Sequence, residues 1–558
     1  MKKFIHNNKL KTAVLVFFLI LGSSYIAFAD YYRDLSSQLR LFTDLYKELV
    51  VNYVDQVNPD ALINAGIEGM LETLDPYTVY LEKEDQHGIK TLTEGKYGGV
   101  GIRLGVRNDT LTVIAPMEGS PAMRAGVQAG DKIIQVDTLK AVELRLSKAA
   151  SKMRGEPGTK VTITVRRPGF EDRIPFVLER ENIRVHDLAY ADYVGDGIGY
   201  FKLTSFSKNT DTELRKAFRK LDIENMDGMI LDLRDNPGGL LSSALDVVEL
   251  FVEPGIEVLS TRGRTDKANR TFETRKKATV PQDIPVAIMV NHGSASASEI
   301  VSGVLQDLDR AIIIGKSTFG KGLVQTVVPL SRESAIKVTT AKYYIPSGRL
   351  IQKQDYFNEK VIEDPAERDS IFYTQNHRKV FGGGGINPDI RVKQDTMPRP
   401  VRSITAKNLF FQFAVEYHNR HAERFWPFAI SDSLYNRFFE YMENKKFNYQ
   451  TDAEKRYQKF LQSLDSTDLT QPEIAKAQDI FRNYLAQENQ WRTSDKTKTW
   501  IVKNLRREFA QMYGGSKARI RESVDHDNGL QMALNILSDQ SEYRTQLGFA
   551  SAAETVEN

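Results

Sequence analysis

Cysteine is absent from all 558 residues, which excludes disulfides, thiol catalysis and a lipid-modified N-terminal cysteine. That absence leaves the compartment open. An excess of one charge is also missing. The formal net charge of +3 comes from the first 29 residues, where Lys2, Lys3, Lys9 and Lys11 stand without an acid. Without those four lysines, 72 basic residues face 73 acidic ones. Nothing in that balance calls for nucleic acid. Beyond residue 29 no stretch is long and apolar enough to cross a membrane.

What is present is ordinary for a globular protein, with 41% hydrophobic and 27% charged residues. The length implies three or four domains and a large core. The run from Thr12 to Ala29 is uncharged and closes with Ala27-Phe28-Ala29 before Asp30. This predicts either a secretory signal cleaved at an A-x-A site or, at 18 residues, an uncleaved anchor. Both alternatives export the rest of the chain.

Residues 31–92 read as helical: Leu41, Leu45, Leu49 and Tyr53 fall four apart, and Pro76 stops a second amphipathic run, Ala61 to Leu74. From about Gly95 to Arg180 short strands alternate with glycine turns, including Gly98-Gly-Val-Gly-Ile102. Such glycines let consecutive N–H groups converge on an anion, and a following strand edge can accept an extended peptide. Further on, the buried strand Gly228 to Arg234 breaks at Asp235-Asn-Pro-Gly-Gly239 before a helix, Leu240 to Phe251. Glycines at such a junction can present N–H groups to an oxyanion, although by themselves they make an ordinary β–α turn.

Chemistry concentrates between Val290 and Gln325. Ser294, Ser296 and Ser298 lie in a small-residue turn opening a helix, Glu299 to Leu308. A strand follows, Ala311 to Ile314, and a glycine-containing turn delivers Lys321 into another apolar strand. A serine at a helix start gains from free N–H groups and the positive end of the dipole. It lacks a base, which a desolvated lysine can supply. The competing reading is plain: Ser296-Ala-Ser-Glu299 is an S-x-x-E capping box, and Lys321 a surface charge. Spacing does not choose among the three serines.

The block resembles the carboxy-terminal processing (tail-specific) proteases, serine peptidases with a Ser–Lys pair. Their pattern is a GSASASE turn, then TFGKG about 25 residues on, with a glutamine soon after the lysine. Here Gly293–Glu299 and Thr318–Gly322 match it, with Lys321 25 positions after Ser296. The resemblance implies Ser296 as nucleophile, Lys321 as general base and Gln325 as the group orienting it. It also implies oxyanion donors at Gly238 or Gly239 and at Ala297. The Ser120-Pro-Ala and Ala125–Ile134 series resembles a PDZ domain, with Gly99, Val100, Gly101 and Ile102 as its carboxylate-binding loop. Leu74–Leu81, Ala341–Gln352 and Gly385–Asp389 are similar to further family segments.

The expected fold is α/β and multidomain. A signal or anchor (1–29) precedes an N-terminal helical segment (30–92), an inserted PDZ β-domain (93–180) and a crotonase/ClpP-like α/β protease core (181–397). A C-terminal helical extension (398–558) follows. Asp355 to Val380 is expected to be an insertion or mobile loop, Gly382–Gly385 a turn, and the last dozen residues disordered. His418 and His421 lack a third ligand, so no metal is expected, nor any other cofactor. The expected function is a serine endopeptidase of the bacterial periplasm, free or held at the inner membrane, that captures polypeptides by a free C-terminus. A homo-oligomer or regulatory adaptor would suit the extension, whose role stays open. A lysine neutral at pH 7 must fall about three units, or about 4 kcal/mol, and the apolar flank Leu323-Val324 fits burial. His292 is expected to be structural. The rival reading is an inactive PDZ scaffold, opposed by the retained Ser296, Lys321 and Gln325. A penicillin-binding type of acylase needs S-x-x-K, whereas Glu299 stands in the fourth place.

Overall fold

A computed structural model describes residues 33–82, 86–331, 333–356, 360–361, 370–393, 395–464 and 471–549. The expected signal or anchor (1–29) lies outside these. The chain forms two compact units: residues up to Tyr80 with Val327–Val338, and the remainder.

The first unit holds a helix over 33–52 and the helix Pro59–Glu72, whose N-cap Asn58 accepts from the N–H groups of Asp60 and Ala61. The expected helices are present, but Leu41 is 64% and Leu45 56% exposed. Two short helices cannot bury an apolar stripe each.

In the second unit a six-stranded sheet runs in chain order: β1 (Leu188–Tyr193), β2 (Ile198–Leu203), β3 (Gly228–Asp232), β4 (Val286–Val290), β5 (Ile312–Gly315) and β6 (Ile390–Arg391). β1 and β2 are antiparallel; every later pair is parallel. Parallel strands need long crossovers. Here α1 (Thr210–Lys220), α2 (Leu241–Val248) and α3 (Ala297–Asp307) make three of them. The strands are apolar on both faces, so both must be covered. Phe201, Leu231, Ile288 and Ile313 pack with the three helices. Their alternating neighbours Tyr200, Ile230, Met289 and Ile314 pack against Leu530, Ala533, Leu537 and Tyr543. The end of the expected C-terminal extension is therefore the second layer of the sheet. Tyr543 is buried there, and its hydroxyl accepts from the Val286 N–H at 2.9 Å.

The rest of the extension has its own aromatic core, with Phe413 tilted 5.2 Å from Phe438 and edge-on 6.0 Å from Phe509. His421 stacks on Tyr417 at 4.2 Å. Of the expected disordered tail, residues 550–558 lie outside the described residues, while Leu547 is buried against the sheet. In the charged stretch, 357–359 and 362–369 also lie outside. The hairpin Ile371–Tyr373 and Lys379–Phe381 is anchored to the core instead of loose, with Arg378 bonded to Asp389 and Asp309, both at 2.6 Å.

The β-rich module at 93–180 is an antiparallel sheet edged by Ile102–Arg107, beside the helix Leu146–Met153. In its Gly99–Ile102 loop the carbonyl oxygens of Val100 and Gly101 accept from Ala122 (3.0 Å) and Met117 (2.8 Å). Gly101 has φ 73°, and an added Cβ would lie 2.2 Å from Cβ of Ser120. Only glycine suits that place.

Candidate active site

Three turns meet at the carboxyl ends of β3, β4 and β5, where open parallel sheets commonly bind ligands. The turn after β3 starts from Asp232, which is fully buried yet accepts from Arg234, Lys202 and Tyr200. Burial alone would raise that carboxyl; the two cations outweigh it and hold it well below the usual range. Arg234 reaches on to Asp527, the N-cap of the helix Asn528–Ser538, at 2.6 Å. The glycine turn after β3 is thereby tied to the C-terminal layer.

The turn after β4 carries the three serines, and the structure separates them. Ser294 is buried, and its hydroxyl donates to the Leu233 carbonyl at 2.8 Å. Ser298 is buried too and donates to the Asn236 carbonyl at 2.9 Å. Both stitch the β4 turn to the β3 turn. Ser296 alone of the three is half-buried, and it has φ 53°, an uncommon conformation for a residue with a side chain. The Glu299 half of the capping box also forms: Glu299 accepts the Ser296 N–H at 2.8 Å, while the Glu299 and Ile300 N–H groups donate to the Ser296 carbonyl.

The turn after β5 brings Lys321, which is half-buried. Its N–H donates to Glu299 at 2.9 Å, and its carbonyl accepts from the Tyr343 hydroxyl at 2.6 Å. The same hydroxyl lies 3.3 Å from the Ser296 carbonyl oxygen. Gln325 follows on the strand Leu323–Pro329, in step with Lys321 along the period of two, and donates to Thr339 at 3.4 Å. His292 is exposed and 3.5 Å from the Ser317 carbonyl.

The glycines of the β3 turn divide in role. The Gly238 N–H is taken by the Asn236 side chain at 2.9 Å. Gly238 itself packs on the Ser296 turn, because an added Cβ would sit 2.8 Å from the Ala297 nitrogen. Gly239 is exposed, and no acceptor for its N–H is found among the described residues. Ala297 is the first residue of α3, where an N–H has no partner within its own helix.

Sequence reasoning gave Glu299 only a cap and missed Tyr343, Asn236 and Thr318. Thr318 donates to Glu299 at 2.6 Å and accepts from Ile386 at 2.7 Å. The expected Gly382–Gly385 turn supports this point, since a Cβ on Gly385 would meet the Thr318 hydroxyl at 2.6 Å. Among the described residues no group of three or more His, Cys, Asp or Glu side chains could hold a metal.

The model of peptidase family S41 matches residues 197–363, which hold all three turns. The carboxy-terminal-processing protease of Bartonella bacilliformis is 38% identical over 332 residues, 59% of this chain and 76% of that one. The chain belongs to this family. A second relative, the carboxyl-terminal-processing protease of Synechocystis, is 38% identical over 54% of this chain and 71% of its own length. Three more models match, for a PDZ domain (112–167), the N-terminal domain of the activating protease CtpB (27–85) and the C-terminal helical domain of a probable PDZ-protease (401–537). Among solved structures, the photosystem II D1 C-terminal processing protease is 26% identical over 64% of this chain and 94% of that one, with a TM-score of 0.34. By these family models the chain combines an S41 protease core with a PDZ domain and a helical C-terminal domain.

Proposed function

We propose that this chain is an exported serine endopeptidase in which Ser296 is the nucleophile, Lys321 the general base and Gln325 the residue that orients the base. The observation that carries this reading is the sorting of the serines. Ser294 and Ser298 have their hydroxyls fixed to backbone carbonyls, whereas Ser296 stands half-buried at the mouth of α3 on a strained backbone. Neutral Lys321 takes the Ser296 proton as the hydroxyl oxygen attacks the scissile carbonyl. The N–H groups of Gly239 and Ala297 receive the oxyanion, and each such donor lowers a barrier by about 3–4 kcal/mol. The tetrahedral intermediate collapses to an acyl-enzyme, the leaving amine takes the proton, and water hydrolyses the ester. Gly239 is preferred to Gly238 because the latter's N–H already has an acceptor.

The Gly99–Ile102 loop would receive a substrate's terminal carboxylate and the edge of Ile102–Arg107 its last residues, by β-augmentation. The crotonase/ClpP-like relationship of the core, the export signal at 1–29 and a periplasmic place of work belong to the same proposal. The test uses a tailed, unfolded polypeptide with the purified chain. Ser296→Ala and Lys321→Ala should each lower cleavage about 10⁴-fold or more with melting unchanged. Persistent cleavage in Lys321→Ala would remove the base assignment. No cleavage by the unmodified chain would leave a PDZ scaffold.

A further inference from the structure

We propose that Glu299 is a positioning residue of the peptidase reaction, locking the turn of the nucleophile to the turn of the base through one carboxylate. The inference rests on the Ser296–Lys321 reading above. A capping box explains one of its bonds, the one from the Ser296 N–H. It does not explain the other three. The Lys321 N–H donates to the same oxygen, Oε2, at 2.9 Å, and the Gly320 N–H and Thr318 hydroxyl donate to Oε1, both at 2.6 Å. All three come from a turn some twenty residues further on. Because Ser296 and Lys321 share one acceptor atom, their nitrogens are held within the sum of 2.8 and 2.9 Å. From the other side the Tyr343 hydroxyl contacts the carbonyl oxygens of the same two residues. Carboxylate and phenol together meet the N–H and the carbonyl oxygen of both residues.

The carboxylate is fully buried, and its oxygens accept from three backbone N–H groups and one hydroxyl. Its four partners are all donors. A protonated Glu299 would set its own O–H against one of them and open the clamp, so the arrangement requires the charged form. Burial pushes the carboxyl up to about 7, against the pull of bonds from Thr318, Lys321, Gly320 and Ser296. Among the titratable residues on the elements packed here, Lys321 on the base turn donates its N–H to it and Tyr343 lies on the strand behind, while His292 is exposed beside the Ser317 carbonyl. Lys353 lies beyond Gly320, to whose carbonyl its N–H donates at 2.9 Å. Burial, and after it the proximity of Glu299, pushes the Tyr343 phenol well above its ordinary value, so that phenol stays protonated.

The experiment measures kcat and KM against pH for the full chain, Glu299→Gln, Ser296→Ala and Lys321→Ala on one tailed peptide. Glu299→Gln presents an amide NH₂ to N–H donors and should misplace the dyad. The expected result is kcat down about 100-fold with KM within about twofold and a cooperative melt retained. In the unmodified chain log(kcat/KM) should rise on the acid side with a limiting slope of about two, since Glu299 and Lys321 must both lose a proton. In Glu299→Gln the slope should be about one. A Glu299→Gln kcat within about threefold of the unmodified chain overturns the proposal. Should that variant fail to fold, the unmodified chain decides: a slope of about one overturns the proposal, and about two supports it. If Ser296→Ala and Lys321→Ala are inactive while Glu299→Gln is active, only this inference falls. If either dyad variant turns over, the underlying reading falls.

Discussion

Two fully buried carboxylates brace the same site and are held in opposite ways. Asp232, at the end of β3, faces Lys202 and Arg234 and is kept charged by them. Glu299, in the first turn of α3, is held by neutral donors and sits close to its neutral form near pH 7. A buried ion with counter-ions resists titration; a buried ion held by dipoles alone does not. The difference marks Asp232 as a structural strut under the glycine turn and Glu299 as a clamp whose strength depends on pH.

The sharpest way to break this comparison is to remove the strut. Asp232→Ala leaves Arg234, Lys202 and the Tyr200 hydroxyl without their shared acceptor. Breaking a buried pair from one side costs about 3–5 kcal/mol. We expect that loss in urea denaturation, similar at pH 6 and pH 8. A loss under about 1 kcal/mol would show that the Arg234–Asp527 pair carries the turn unaided.

The next test compares the two by pH. For Glu299 the folded value lies above the ordinary 4.5, so its contribution is full below that value and is lost as pH rises through about 7. For Asp232 the folded value lies below the ordinary 3.8, so its contribution holds above that and is lost only as pH falls through the lower value. Between pH 5 and 8 only Glu299 should move. The stability of the chain relative to Glu299→Gln should therefore fall by up to about 3 kcal/mol across that window. Parallel stabilities would show that Glu299 does not titrate there.

The contrast was only partly legible in the sequence. Local patterns gave the helices and strands around the site, and the resemblance of Gly293–Glu299 and Thr318–Gly322 to a family pattern implied the pair. The choice of serine was not legible from spacing, because it depends on which hydroxyls meet the carbonyls of Leu233 and Asn236 some sixty residues away. Glu299 read as a cap because that bond is local, while its other three partners are not. The doubly apolar strands, such as Val286–Val290, did signal two covering layers. Nothing local said that the second layer would be residues 528–547, so a boundary at 397 separates in sequence what packs together in space.

The smallest expected effect probes one of the clamp's four donors. Thr318→Val removes the hydroxyl that donates to Oε1, so the charged form of Glu299 loses one bond and its carboxyl should rise by about one unit. Only one of the two protons in the acid limb belongs to Glu299. The lower end of the kcat/KM profile should move up while the part set by Lys321 stays in place. The variant also leaves the Ile386 N–H without its acceptor, a cost of about 1–3 kcal/mol that must be separated from the titration. Thr318→Ser does this, since it keeps the hydroxyl for both bonds and should leave the profile unmoved. An unmoved profile in Thr318→Val as well would mean that the acid limb reports some group other than the clamp, and the contrast between the two carboxylates would then concern stability alone.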